Sequence, residues 1–341
     1  MDLREQRFGI EIEFTGITRM KASEVIAMYF GTNSDDSRHY SRDAYNVRDS
    51  QNRIWRIVSD GSIVPQMKQG GYRVAASDDY KVELVSPICK YEDITVIQEL
   101  VRKLRSAGAF ASQKCGIHIH VDASPFEAAH IKNLINIMAS KEDLIYKAIK
   151  VQVEREFYCK KADPSFIDEI NRIRPQSRND VMDIWNGNGR APNQERYRCL
   201  NLASLSEHGT IEFRLFNSDI RHAGKIKAYI QLSLAISAQA LNQKSAVRTK
   251  TQSSNEKYTF RTWLLRLGMI GDEFKSARGH LLEHLDGCIA WKDPAQAIAQ
   301  RERLRLNREE NMQEMAEFMG VESETANEQE ETEGNYMVMS M

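Results

Sequence analysis

Four short segments alternate apolar residues with residues that carry charge or bind metal. This restricts the chain to a β-sheet with two unlike faces. In Gly9-Ile10-Glu11-Ile12-Glu13-Phe14, Glu11 and Glu13 point one way while Ile10, Ile12 and Phe14 point the other. In Ile117-His118-Ile119-His120-Val121-Asp122, the two histidines and Asp122 share a face. Glu212 and Arg214 do so in Ile211-Glu212-Phe213-Arg214-Leu215, and Glu83 opposes Val82 and Leu84 in a fourth segment.

A solvated polar face accounts for any one of these strands alone. Such a face is normally filled with Lys, Thr, Ser and Gln, whereas these residues are Glu, His and Arg. On neighbouring strands the carboxylates would repel one another unless cations lay between them. Oxygen-rich ligation with one imidazole suits Mg²⁺ or Mn²⁺. The His-x-His pair on its own also fits a zinc hydrolase or a structural role.

Elsewhere the strands come early, interleaved with helices, and helices follow alone. This order predicts an α+β fold with a largely antiparallel sheet. Helical spacing marks 94–107, 126–149 and 225–241, and 31–50 reads as a polar loop. The segment 151–195 is rich in Arg and reads as short helices with a functional loop. Gly70-Gly71 and Asn186-Gly187-Asn188-Gly189 read as turns or mobile covers. The expected domains are a catalytic domain over 1–243, a helical extension over 244–320 and a disordered acidic tail over 321–341.

The net charge of -1 hides a division. From Glu309 onward there are ten Glu and no Lys or Arg, leaving +9 on the preceding residues. No apolar run approaches a membrane span, and no apolar signal core follows Met1. The five widely spaced cysteines, without a C-x-x-C, read as reduced thiols. The expectation is a cytoplasmic protein without a membrane partner. Dispersed Lys and Arg and the lack of a recognised motif argue against nucleic acid.

The motifs, in their order, resemble the amidoligase family of the glutamine synthetase and γ-glutamylcysteine synthetase superfamily. The elements are the Glu11-x-Glu13 strand, Asp60-Gly61-Ser62, Glu83 in Val82-Glu83-Leu84-Val85-Ser86-Pro87, Gly116-Ile117-His118-Ile119-His120, and Glu212-Phe213-Arg214. The resemblance spans about 7–240. It implies a glutamine synthetase-like catalytic domain, with a curved antiparallel sheet of about five to seven strands and helices on its outer face. It also implies two or three metals and ATP-driven joining of a carboxylate to an amine. Mg²⁺, or Mn²⁺, would be held by Glu11, Glu13, Glu83, His118 and Glu212. Arg214 would face the transferring phosphoryl group, and His120 would lie near phosphates or substrate. Arg196 and Arg198, which share a face if extended, would meet nucleotide or a substrate carboxylate. Asn201 would contact substrate or order its loop, and Ser62 belongs to the Asp60 element. Asp60 is left between metal ligand and orienter of the amine.

No Gly-rich phosphate loop is present, so metal and Arg would hold the triphosphate. The carboxylate partner ranges over glutamyl, peptide or protein substrates, the amine is open, and so is homo-oligomerisation. The alternatives are a guanidino-kinase-like phosphotransferase on the same sheet and a zinc hydrolase built on His118 and His120.

Overall fold

The computed structural model describes residues 1–36, 44–187 and 196–334. Within it, β1 (Phe8–Phe14) lies near the middle of an eight-stranded sheet, so Glu11 and Glu13 are flanked on both sides. The other strands are β2 (Ser34–Asp36), β3 (Tyr45–Arg48), β4 (Ile54–Val58), β7 (Val82–Val85), β8 (Gly116–Asp122), β9 (Leu200–Asn201) and β10 (Thr210–Asn217). Their order is β2-β3-β4-β7-β1-β8-β10-β9, and every ladder is antiparallel. The sheet exceeds the expected five to seven strands because β2 and β3 form within the stretch read as a loop. Residues 37–43 of that stretch lie outside the described residues.

A separate hairpin pairs β5 (Gln66–Gln69) with β6 (Tyr72–Ala75) through Gly70-Gly71. Both glycines have positive φ, 59° and 86°, which a tight two-residue hairpin turn requires. The hairpin is tied to the end of β1, where the Gly16 N–H donates to Gln66 O at 2.9 Å.

The apolar face is the core. Ile10, Ile12, Phe14, Val82, Leu84, Ile117, Ile119, Val121, Ile211 and Phe213 are each at most 2% exposed. Helices α1 (Arg19–Phe30), α2 (Ile94–Ser106), α3 (Ala128–Ile149) and α7 (Ala223–Asn242) bury their stripes in the same cluster. In α2 the stripe is Ile94, Ile97, Leu100, Val101 and Leu104, at helical spacing. At about 1.5–3 kcal/mol per fully buried large aliphatic side chain, this layer fixes the register of every strand. A one-residue slip would carry Glu11 or His118 into it.

Shorter helices α4 (Pro164–Ile173), α5 (Arg178–Asn186) and α6 (Ala203–His208) lie between β8 and β10 in sequence. Gly187 caps α5; Asn188 and Gly189, with the rest of the expected loop to 195, lie outside the described residues. Residues 244–255 are not the start of a helical extension. They run without helix, held on α3 where Asn133 donates to Gln243 O (2.9 Å) and Asn136 to Ala246 O (3.2 Å). The first compact unit comprises Met1–Ser253 and Phe260–Leu285, including α9 (Lys275–Leu282) and most of α8 (Glu256–Arg266). The second contains Ser254–Thr259 and the chain from Asp286, dominated by α10 (Pro294–Gly334). That helix runs past 320, into the segment expected to be disordered; its Glu, Gln and Ala residues are good helix formers. Residues 335–341 lie outside the described residues. Among the described residues, no helix is long and apolar enough to cross a membrane. All five cysteines are free.

Candidate active site

Strand register assembles the polar face. Glu13 pairs with Glu83 on one side of β1 and Glu11 with His118 on the other, while His120 pairs with Glu212 and Glu212 with Asn201. Seven of the predicted residues, Glu11, Glu13, Asp60, Glu83, His118, His120 and Glu212, converge. His118 Nδ1 lies 3.0 Å from Glu11 Oε2 and 3.4 Å from Glu212 Oε1, and its Nε2 lies 3.5 Å from Glu13 Oε1. Three overlapping groups could each hold an ion: Glu11, Glu83 and His118; Glu11, His120 and Glu212; Glu13, Asp60 and Glu83. Within each group the ligand atoms lie within 4.8 Å of one another.

The first set of supports is backbone and hydroxyl. Glu13 Oε2 accepts from the Gly116 N–H at 2.6 Å. Asp60 Oδ1 accepts from the Ser62 N–H (2.6 Å) and Oγ–H (2.5 Å), so Ser62 positions Asp60. His120 Nδ1 lies 3.0 Å from Thr210 Oγ1 and 3.2 Å from Ser204 Oγ. This turns Nε2 toward Glu11 Oε1 at 3.4 Å, without hydrogen-bond alignment, so Nε2 is buried with no such partner. Asn201 Nδ2 donates to Glu212 Oε2 (2.7 Å), and Arg214 Nη1 donates to Glu212 Oε1 (2.5 Å). Arg214 Nε is likewise buried without a partner among the described residues.

The protonation pattern reflects crowding. Burial, then Glu11, Glu13 and Asp60, push Glu83 well above the usual carboxylate range. Burial also raises Glu13, against the pull of His118. Burial raises Glu11, but the neighbouring imidazoles of His118 and His120 outweigh it and bring it well below the usual value. Glu212 ends low because Arg214, His118 and His120 outweigh its burial. Burial lowers His120, yet Glu11 and Glu212 raise it overall. A carboxylate pushed up both by burial and by the charge of neighbouring carboxylates fits a site built for divalent cations. Hard oxygens with imidazole nitrogen match Mg²⁺ or Mn²⁺.

A pH dependence follows. Glu83, Glu13 and His120 have raised values in the fold, so their contributions to stability are complete below the unfolded values of 4.5 and 6.5. Those contributions are lost as pH rises through the folded values. Glu11 and Glu212 shift down, and their contributions disappear only below 4.5. Metal-free protein will therefore lose thermal stability as pH rises above 4.5, and again as it rises above 6.5. Mn²⁺, which needs the deprotonated ligands, will restore more of it at the higher pH. At 100 times its Kd the stabilisation is about 2.7 kcal/mol. Scanning calorimetry with and without Mn²⁺ checks this; a metal-induced shift independent of pH would contradict it.

Cavities open on both sides of the cluster. One of about 140 Å³ is lined by Glu13, Asp60, Lys114, His118, Arg196 and Arg214, among others. Another, of about 190 Å³, is lined by Gly9, Pro87, Ile88, His120, His208 and Thr210, among others. A larger one, about 580 Å³, lies among Phe110, Lys150, Asp219 and Tyr229 and holds none of the sheet-face carboxylates. The two predicted arginines separate. Arg196 lines the first cavity, whereas Arg198 turns to Asp163 (3.0 Å) and Lys161 O (3.0 Å). Arg196 lies in a turn and Arg198 in an isolated bridge to Lys160, so the two do not share the face that a continuous strand would give them. Sequence reasoning missed Ser204 and Thr210, which hold His120, and Arg155, buried beside Gly116. Only the Arg-rich character of 151–195 hinted at the last.

A family model described as "Putative amidoligase enzyme" matches residues 4–237. No curated protein matches the chain. Among solved structures, the chain is similar to that of a bifunctional glutathione synthetase from Pasteurella multocida, at 13% identity and a TM-score of 0.39. That match covers 90% of this chain and 49% of the other, so the chain spans about half its length. Every residue of the carboxylate–histidine cluster falls within 4–237, and the chain belongs to this amidoligase family.

Proposed function

We propose that the chain joins a carboxylate to an amine at the expense of ATP, with Mg²⁺ or Mn²⁺ on the polar sheet face and an acyl phosphate as intermediate. The observation that carries this reading is the crowding of Glu11, Glu13, Glu83, Glu212 and Asp60 around His118 and His120, with Arg214 at the edge of the cluster. The ions, held by those carboxylates and imidazoles, would neutralise phosphate charge and polarise the transferring group.

The remaining roles belong to the chain. The substrate carboxylate oxygen attacks the γ-phosphorus and ADP leaves; the amine then attacks the acyl carbon, phosphate leaves and the amine loses a proton. Arg214 is preorganised for the charge that develops at the phosphoryl oxygens, with one nitrogen on Glu212 and its buried Nε without a partner. Asn201 locks Glu212, and Ser62 locks Asp60. The geometry favours Asp60 as a ligand over an orienter of the amine, because its carboxylate groups with Glu13 and Glu83. The cavity with Lys114, Arg196 and Arg214 suits an anionic carboxylate substrate. The more apolar one past His120, with Pro87 and Ile88, suits a nucleoside whose phosphates reach the cluster.

The test is ADP release by purified protein with ATP and Mg²⁺, against acidic amino acids and peptides paired with ammonia, amino acids and polyamines. The expected result is ADP release that requires both partners, with a product mass equal to their sum less one water. A stable product carrying a phosphoryl group, formed without amine, would replace this reading with a phosphotransferase. Turnover with stoichiometric zinc and no nucleotide would replace it with a hydrolase.

A further inference from the structure

Strand β10 does not run evenly beside β8. Phe213 pairs with Ile119 but Phe216 with Ile117, so β10 carries one extra residue in a β-bulge that includes Arg214. A bulge disturbs the ladder and leaves main-chain groups in need of partners. Here the partner is a side chain. Arg155, 1% exposed, donates from Nη2 to Arg214 O (2.8 Å) and from Nη1 to Phe216 O.

The same guanidinium lies flat over Gly116. A Cβ at Gly116 would stand 2.3 Å from Arg155 Nη2 and 2.8 Å from its Cζ. Gly116 is the residue whose N–H holds Glu13, and Arg155 lines the cavity shared by Glu13, His118 and Arg214. Among the described residues no carboxylate lies within 4.0 Å of Arg155, so ion pairing does not explain its burial. A buried guanidinium without a counter-ion is costly unless its donors are used. The two carbonyls use them, and a planar fork reaches both where an ammonium would reach one.

We infer that Arg155 is the positioning residue of the active centre: it clamps the bulge of β10 and thereby aims Arg214. This rests on the ligase reading for its kinetic consequence, but the clamp itself does not. Arg155→Lys keeps the charge and loses the fork. Gly116→Ala displaces the guanidinium from the other side. For both variants the expected result is a kcat roughly 30- to 100-fold lower, the loss that misplacement by about 1 Å produces. In Arg155→Lys the Mn²⁺ Kd and the KM for ATP should stay within about threefold, because Asn201 still holds Glu212 and the Gly116 N–H still holds Glu13.

An unchanged kcat in Arg155→Lys would overturn the inference. So would a parallel fall in kcat, Mn²⁺ affinity and melting temperature, which would make Arg155 a general structural support. If the wild-type protein turns over no carboxylate–amine pair, the ligase reading has failed on its own. The clamp is then decided by the crystal structure of Arg155→Lys: a displaced Arg214 supports it, and an unmoved Arg214 overturns it.

Discussion

Glu212→Gln will lower turnover by about 1000-fold or more while the protein stays folded, a loss of roughly 4 kcal/mol of transition-state stabilisation. Glu212 is 3% exposed and occupies the crossing point of the site. One of its oxygens accepts from Arg214 and the other from Asn201, and it stands 3.4 Å from His118. Gln is nearly isosteric but neutral, and its amide would set an NH₂ against the Asn201 NH₂. Asn201 cannot simply turn over, because its Oδ1 accepts from the Ala203 N–H at 3.0 Å. Breaking a buried ion pair usually costs about 3–5 kcal/mol of stability. Here much of that is offset, since Arg214 still lies in the field of Glu11 and Glu13. Removing one charge also relieves the carboxylate crowding. Calorimetry should therefore show a melting temperature near that of the wild type, and Mn²⁺ titration a weakened affinity. Activity above a tenth of the wild-type value would remove Glu212 from its assigned role.

The polar face was legible because a strand has a period of two. Wherever Glu or His alternated with Ile or Phe, side-chain direction followed without knowledge of neighbours. That logic located Glu11, Glu13, His118, His120, Glu212 and Arg214. It could not say which strands lie side by side, yet only the order β7-β1-β8-β10 turns separate Glu-rich strands into one cluster. Where the period is absent the reading failed. Strand β2 is Ser34-Asp35-Asp36, a composition that reads as loop and pairs only because β3 offers an edge. Arg196 and Arg198 share a face only in an extended chain, and a turn there sends one to the cavity and the other to Asp163. Arg155 left no periodic trace, because its partners are main-chain carbonyls about 60 residues away in sequence.

The division of charge has a local counterpart. The cluster concentrates four glutamates and Asp60 on one face, and the cavity beside it adds Lys114, Arg155, Arg196 and Arg214. Cations can neutralise the first group, leaving the second to meet anionic substrates. The two requirements of the proposed reaction, metal beneath the phosphates and positive charge around the acyl group, thus fall side by side, the first on the sheet face and the second mostly on the segments that flank it.

Arg214→Lys separates these requirements and should lower kcat roughly 100- to 1000-fold, or about 3–4 kcal/mol. The main chain at this position is held from two directions, by the Arg214 N–H to Cys199 O (2.9 Å) and by Arg155 to Arg214 O (2.8 Å). A substitution therefore changes the side chain rather than its base. The guanidinium reaches Glu212 with Nη1 and stands 6.0 Å from the Tyr197 ring centroid, leaving buried Nε without a partner. A donor buried without a partner costs about 1–3 kcal/mol, so this one is available to an acceptor that binds in the site. Lysine can keep the ion pair with Glu212, but its one nitrogen cannot stand at both the Nη1 and the Nε positions. If the second donor acts on the transferring phosphoryl group, kcat falls and the KM for ATP stays within about threefold. If it merely grips the resting triphosphate, the KM rises and kcat holds. Steady-state kinetics at saturating carboxylate and amine distinguish the two, and only the first outcome leaves Arg214 in the chemical step.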